Sequence, residues 1–207
     1  MNPLHAVRRL ALPFALALPA TAAQALPATA AQALQIHGVA VPATVSLGGH
    51  QLLLNGVGTR YFLVFKVYVA ELYLPQRTAQ ASAALHMPGP KMLRLVMLRD
   101  VSGSELGTKL THDIQANLST DEFNGMIDGL ARMGQLFAQH KELHSGDVIE
   151  LADLPGQGMT VAIDGQSTGA PYSEPGFFDN MLKVWLGDHP AAQRLKQALL
   201  GDAKASD

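Results

Sequence analysis

From Leu54 to Pro75 the chain reads LNGVGTRYFLVFKVYVAELYLP, apolar or aromatic at most positions after Arg60. β-branched and aromatic side chains at that density favour strand over helix. The run exceeds an ordinary strand of about five or six residues, so it predicts one long bent strand or two strands run together. Both parities are apolar, which predicts cover on both faces. Asn55, Gly56 and Gly58 ahead of the run read as turn residues. Arg60, Lys66 and Glu71 interrupt it. Alternation at period two places Arg60, Phe62, Val64, Lys66 and Tyr68 on one face unless a bulge intervenes.

Upstream, Leu34 to Gly49 alternates loosely and predicts one or two short strands broken at Pro42. Gly48 and Gly49 turn the chain into a strand beginning at Gln51. Downstream, Gln76 to Pro90 predicts a short helix or loop, and Lys91 to Arg99 a nearly continuous apolar strand. The period then changes. Ser102 caps a helix running to about Leu118, with Glu105 three residues on to complete a capping box. Ser119, Thr120 or Asp121 caps a second helix, whose apolar face is Phe123, Ile127, Leu130, Met133, Leu136 and Phe137 and which ends near His140. Strands return at Val148–Leu151 and Met159–Ile163, with turns at Pro155–Gly158 and at Asp164-Gly165. Phe177–Leu186 is helical with Gly187 as its stop, and Asp188 caps a last helix through Leu200. Strands before and after a helical pair predict an α+β fold, a large antiparallel sheet with helices packed on it.

Composition narrows the classes. A chain of 207 residues suits one domain, and 48% apolar against 15% charged residues can bury a core. A formal net charge of −2 gives no electrostatic case for nucleic acid or an anionic membrane. The absence of cysteine excludes disulfides, thiol catalysis and thiolate metal sites. Arg8 and Arg9, the apolar run LALPFALALPATA and the small residues Ala23-Gln24-Ala25 have the three-part build of a secretory leader. LPATAAQA at Leu18–Ala25 recurs at Leu26–Ala33, which offers a second cleavage site after Ala33. Residues 1–33 are therefore expected to be a leader, 34–207 the mature domain, and the location periplasmic or secreted. No later stretch reaches the roughly 18 uninterrupted apolar residues of a membrane span, so no stable membrane anchor is expected after cleavage.

Candidate chemistry is sparse. His140 and His144 in HKELH have an i, i+4 spacing, but the order is not that of a helical zinc site and Ser145-Gly146 signals a helix end, so no metal is expected. Ser102 and Ser104 read as caps, since no nucleophile elbow surrounds them. Gly56-Val57-Gly58 lacks the third glycine and the helix of a dinucleotide site, and no cofactor is implied. Asp121, Glu122 and Asp128 read as solvated charges, and Arg99-Asp100 as a local surface pair. Arg60 remains, because an arginine in an apolar strand needs a partner. The partner is either Glu71 or another acid of the chain, or the carboxylate of a ligand held by the guanidinium together with the Tyr68 hydroxyl.

At these residues the sequence resembles the chalcone isomerase-like family, in its bacterial secreted branch. The matching pieces are LNGVGTR with FKVYVAELYLP, LRDVSG, SGDVIEL, PGQGMTV and FFDNMLKVWLGDHP with LKQALLG, in one order from about Val45 to Gly201. The resemblance implies an open-faced β-sandwich with a cleft between sheet and helices. Plant enzymes of the fold close a flavonoid ring, and its fatty-acid-binding members hold an acyl chain by its carboxylate. The family's clamp arginine corresponds to Arg60 and its partner to Tyr68. Val64, Met97, Leu106 and Leu110 are expected to line the cleft, with Lys109 and Asp113 near it. The tyrosine that the plant enzymes carry on the following helix corresponds to Leu106, which has no hydroxyl, and this counts against the isomerase. The resemblance implies a binding protein for a fatty acid or similar amphipathic carboxylate. An isomerase (intramolecular lyase) and a non-catalytic scaffold are the alternatives, and no protein partner is identifiable.

Overall fold

In the computed structural model, which describes residues 34–206, the long apolar run folds back on itself. It forms a hairpin of β4 (His50–Phe62) and β5 (Phe65–Leu74) joined by Leu63 and Val64. No glycine, proline or asparagine marks that turn. The fold-back puts Arg60 and Tyr68 on neighbouring strands as direct cross-strand partners, beside a register shift between Arg60 and Tyr61. The row Arg60, Phe62, Val64, Lys66, Tyr68 expected along one strand therefore does not exist. Val64 sits in the turn, 81% exposed.

Three short strands precede the hairpin: β1 (Leu34–Ile36), β2 (Val39–Val41) and β3 (Thr44–Leu47). After it come a short helix α1 (Ala81–Leu85), β6 (Lys91–Met97) and the two-residue β7 (Val101–Ser102). Helices α2 (Gly103–Gln115), α3 (Thr120–Asn124) and α4 (Ile127–Gln139) follow. The chain then returns through β8 (Glu142–Leu143), β9 (Val148–Leu154), β10 (Gly158–Ile163) and β11 (Gln166–Ser167) to α5 (Phe177–Leu186) and α6 (Gln193–Leu199). Seven strands make one sheet in the order β11-β10-β9-β6-β5-β4-β3, and each neighbouring pair is antiparallel. The architecture is α+β, an antiparallel sheet with helices layered on it.

Both faces of β5 are covered, as its two apolar parities require. Tyr68, Ala70, Leu72 and Leu74 join Leu93, Leu95 and Met97 of β6 in the main core under α4, α5 and α6. The opposite face carries Val57 and Val69, which pack on Ile36 and Val41 of the β1–β2 hairpin, and Tyr73, which packs with Leu52 and Met92. Within this second face lies a row of charges across three strands. Glu71 pairs in register with Arg94, and Arg94 with Glu150.

Several local expectations change. Asn55, Gly56 and Gly58 lie inside β4 rather than in a turn. A Cβ on Gly56 would stand 2.2 Å from the Ala198 carbonyl oxygen, so the missing side chain is what lets α6 approach the strand. Asn55 Nδ2 donates to the Leu199 carbonyl at 2.7 Å and so satisfies the end of α6. Ser102 caps α2, its Oγ accepting from Glu105 N, but the helix stops at Gln115. The second helix is two: α3, held by a full capping box between Ser119 and Glu122, and α4 after a break at Gly125-Met126. Asp188 does not cap the last helix, which starts at Gln193 after Ala192. The expected leader lies outside the described residues, and no helix among the described residues is long and apolar enough to cross a membrane.

Candidate functional site

Between the sheet and helices α2, α4 and α5 lies a cavity of about 470 Å3. Its sheet wall is Arg60, Val67, Tyr68, Leu95, Ile149 and Leu151. Leu106, Lys109, Leu110 and Asp113 of α2, Phe137 of α4, and Val184 and Trp185 of α5 form the helical wall. Arg60, Tyr68, Leu95, Ile149 and Leu151 share the inner sheet face through strand alternation, and Val67, next to Tyr68 and of the opposite parity, borders the cavity beside them. From α2, Leu106, Lys109, Leu110 and Asp113 follow the i, i+3, i+4, i+7 stripe of one helix face.

The sequence-based expectations divide against this geometry. Arg60, Tyr68, Leu106, Lys109, Leu110 and Asp113 are brought together. Val64 and Met97 are not. Val64 is carried out to the hairpin tip by the fold-back. Met97, directly beside Tyr68 in the sheet, is 1% exposed and packed inside the main core instead of on the cavity wall. Val67, Leu95, Phe137, Ile149, Leu151, Val184 and Trp185 were not anticipated as lining. Trp185 had a readable signal, since it is the chain's one tryptophan, on the apolar face of a predicted helix, and a buried indole N–H needs an acceptor.

That acceptor is Tyr68. Trp185 Nε1 donates to Tyr68 Oη at 3.1 Å. Burial pushes the Tyr68 phenol above its ordinary pKa of 10.0, partly opposed by the indole hydrogen bond and by the nearby Arg60 charge. The phenol is therefore protonated at neutral pH. Its oxygen is occupied by the indole, and its single hydrogen has no acceptor among the described residues. Arg60 is half-buried, and one N–H group donates to the carbonyl of Tyr61. Among the described residues no carboxylate comes within ion-pair distance of its guanidinium. Glu71, the protein partner that the sequence offered, is on the opposite sheet face, held by Arg94 at 2.7 Å. Lys109 and Asp113 also reach the cavity, but they pair with each other across one helical turn.

Arg99 and Asp100 do not form the expected local pair. Arg99 lies over the Phe65 ring, 5.2 Å from its centroid, while Asp100 Oδ1 accepts the Ser145 N–H at 2.8 Å. His140 and His144 do not share a helix face either, because α4 ends at Gln139 and Glu142-Leu143 is extended. Asp100, Glu142 and His144 bring donor atoms within 4.8 Å of one another, all three exposed. With Asp100 Oδ1 already bonded to backbone, this is a weak metal-ligand set.

Comparison with known proteins agrees with the architecture. No curated protein sequence matches the chain. A solved structure of an Arabidopsis thaliana fatty-acid binding protein superposes with a TM-score of 0.65 at 16% sequence identity, covering 84% of this chain and 97% of that one. At that identity the likeness speaks for the fold. Residues 33–201, most of the chain, match the family described as chalcone isomerase-like, so the protein belongs to the chalcone isomerase-like family.

Proposed function

We propose that the protein binds a fatty acid or similar amphipathic carboxylate, its carboxylate held by Arg60 and Tyr68 and its chain laid along Leu95, Leu106, Leu110 and Leu151. The observation that carries this reading is a pair of donors with hydrogens to spare: beyond its bond to the Tyr61 carbonyl, the Arg60 guanidinium has further N–H groups, and Tyr68 has its phenol hydrogen. Among the described residues, a guanidinium with no acid beside it and a phenol hydrogen with no acceptor stand together on the wall of a largely apolar cavity. Burying such groups without partners is unfavourable, and one carboxylate would satisfy both. The volume is in the range of small-molecule sites, roughly 300–1,000 Å3. The name of the Arabidopsis neighbour, a fatty-acid binding protein, supports the same class of ligand. The leader-like pattern of residues 1–33 supports a periplasmic or secreted site of action.

The same donors would suit a developing oxyanion, so a ring-closing isomerase is the competing reading. Leu106 faces the cavity without a hydroxyl to give or take a proton, and this favours the binding protein.

Native mass spectrometry of protein purified without detergent tests the proposal. The wild type is expected to carry, or to take up, a fatty acid of acyl-chain mass. Arg60→Ala removes charge-assisted hydrogen bonds of about 1.5–3 kcal/mol, so binding should weaken roughly 10- to 150-fold. A wild type that neither carries nor takes up fatty acid overturns the reading, as does turnover of a chalcone-type substrate in its place.

A further inference from the structure

The tip of the β4–β5 hairpin is unusual for a protein surface. Phe62, Leu63, Val64 and Phe65 are consecutive, large and apolar, and are exposed by 57%, 81%, 81% and 54%. Scattered exposed apolar residues are ordinary, but a contiguous apolar protrusion marks an interaction site. The turn itself gives no reason for these residues. Leu63 has φ 54°, a left-handed conformation that asparagine or glycine adopts more readily than leucine. Leucine at that position costs conformational energy and gains little burial against the described residues. Its apolar side chain therefore points to a surface outside the chain.

The surroundings say which surface. The net charge of −2 gives the whole chain no attraction to an anionic membrane, but the hairpin departs from that average: from Thr59 to Ala70 it has no acidic residue. Arg60 stands on one strand, and Lys66 on the other, in register with Tyr61. Arg99 adds a third cation, resting on the ring of Phe65. Apolar side chains at a tip with cations a few residues behind it match the layering of a phospholipid surface, acyl chains beneath phosphates. Two residues on each arm at about 3.4 Å per residue span roughly 5–7 Å, comparable to the depth of elements that lie at the headgroup boundary. Phe62 also borders the cavity, so the tip lies at the rim of the cavity. Asp100 and Glu105 border the same cavity, but neither belongs to the hairpin.

We infer that the β4–β5 hairpin docks the protein on an anionic phospholipid bilayer by inserting Leu63 and Val64 with their flanking phenylalanines, and so opens the cavity toward the membrane. The docking surface is independent of the cargo. Its purpose, exchange of an acyl ligand with the bilayer, rests on the binding reading above.

Flotation with vesicles of phosphatidylcholine and phosphatidylglycerol in equal parts, beside vesicles of phosphatidylcholine alone, tests the inference on the full chain. The variant is Leu63→Asn with Val64→Ser, which suits the turn and leaves all three cations in place. The wild type is expected to float with the mixed vesicles, less with phosphatidylcholine alone and less as salt rises. The double variant should bind at least tenfold less. Wild type and variant share the same N-terminal segment, so equal flotation of both overturns the inference by assigning binding elsewhere. No flotation of the wild type also overturns it. So does a concentration-dependent dimer that the variant abolishes while neither protein binds vesicles, because the occupant is then a second copy of the chain. Fatty-acid uptake in vesicle-free solution should be equal in the two proteins. Its absence from both, with vesicle binding intact, would remove the carrier reading and leave the docking surface standing.

Discussion

Glu71 is wholly buried on the sheet face away from the cavity. Its Oε1 accepts from Arg94 Nη1 at 2.7 Å, and Tyr73 Oη lies 2.7 Å from its Oε2. Burial raises its pKa above the ordinary 4.5, with Tyr73 and Arg94 opposing only in part. Tyr73 Oη is also 3.0 Å from the Pro42 carbonyl oxygen and has one hydrogen to give. A raised acid pKa means that the stability contributed by Glu71 is fully present below pH 4.5 and is lost as pH rises through the folded value. Glu71→Gln should therefore flatten the fall in thermal midpoint between pH 4.5 and neutrality, and an unchanged slope in the variant would contradict this assignment. Glu122 runs the other way. Hydrogen bonds from Lys183 and from Ser119 lower its pKa to about 2, so its contribution is present above 4.5 and lost as pH falls toward 2. Acid titration of Glu122→Gln should lack that last loss. The effect will be small, because the site is exposed and screened.

At the scale of elements, the glycines of β4 decide where α6 can lie. Gly56→Ala would place a Cβ 2.2 Å from the Ala198 carbonyl oxygen and 2.5 Å from that of Leu199. Backbone on the receiving side cannot turn away as a side chain can. The expected loss is about 2–3 kcal/mol in denaturant unfolding, with the uptake proposed for the cavity retained once the protein is folded. Ser119→Ala should cost less, about 1 kcal/mol, because the capping box it closes serves only the short α3. A Gly56→Ala protein as stable as the wild type would show that α6 is not held against β4 in solution.

For the whole molecule, the cavity lies within the layer where helices meet sheet, so ligand binding and stability are linked. Fatty acid at about 100 times its Kd should add about 2.7 kcal/mol, and a chain of this size gains roughly 2–4 °C per kcal/mol. Leu110→Trp, from α2, should fill part of the cavity. Its unliganded thermal midpoint is expected to stay near that of the wild type, and the ligand-dependent rise to disappear. A rise that survives the substitution would place the ligand outside the cavity.

Much of this organisation is local chemistry and is written in the chain. Two apolar parities in Phe65–Leu74 require cover on both faces. Ser102 and Ser119 start helices where a hydroxyl can accept a backbone N–H, and Asp164-Gly165 turns the β10–β11 hairpin. The likeness of LNGVGTR and its companion segments to one family singles out Arg60 and Tyr68. What the sequence could not reveal depends on atoms far apart along the chain. The turn at Leu63-Val64 carries no turn residue, so the fold-back that makes Arg60 and Tyr68 neighbours, and exposes Val64, is imposed by strand pairing. Gly56 looks like a turn until α6 arrives against it. Met97 and Leu95 share one strand parity, yet only Leu95 faces the cavity, because the helices above decide where space is left. Trp185, 117 residues away in sequence, donates to the Tyr68 oxygen, and the phenol hydrogen finds no acceptor among the described residues. Sequence pattern assigns side chains to faces. Long-range packing decides which faces meet protein, which meet a ligand and which are left for another surface.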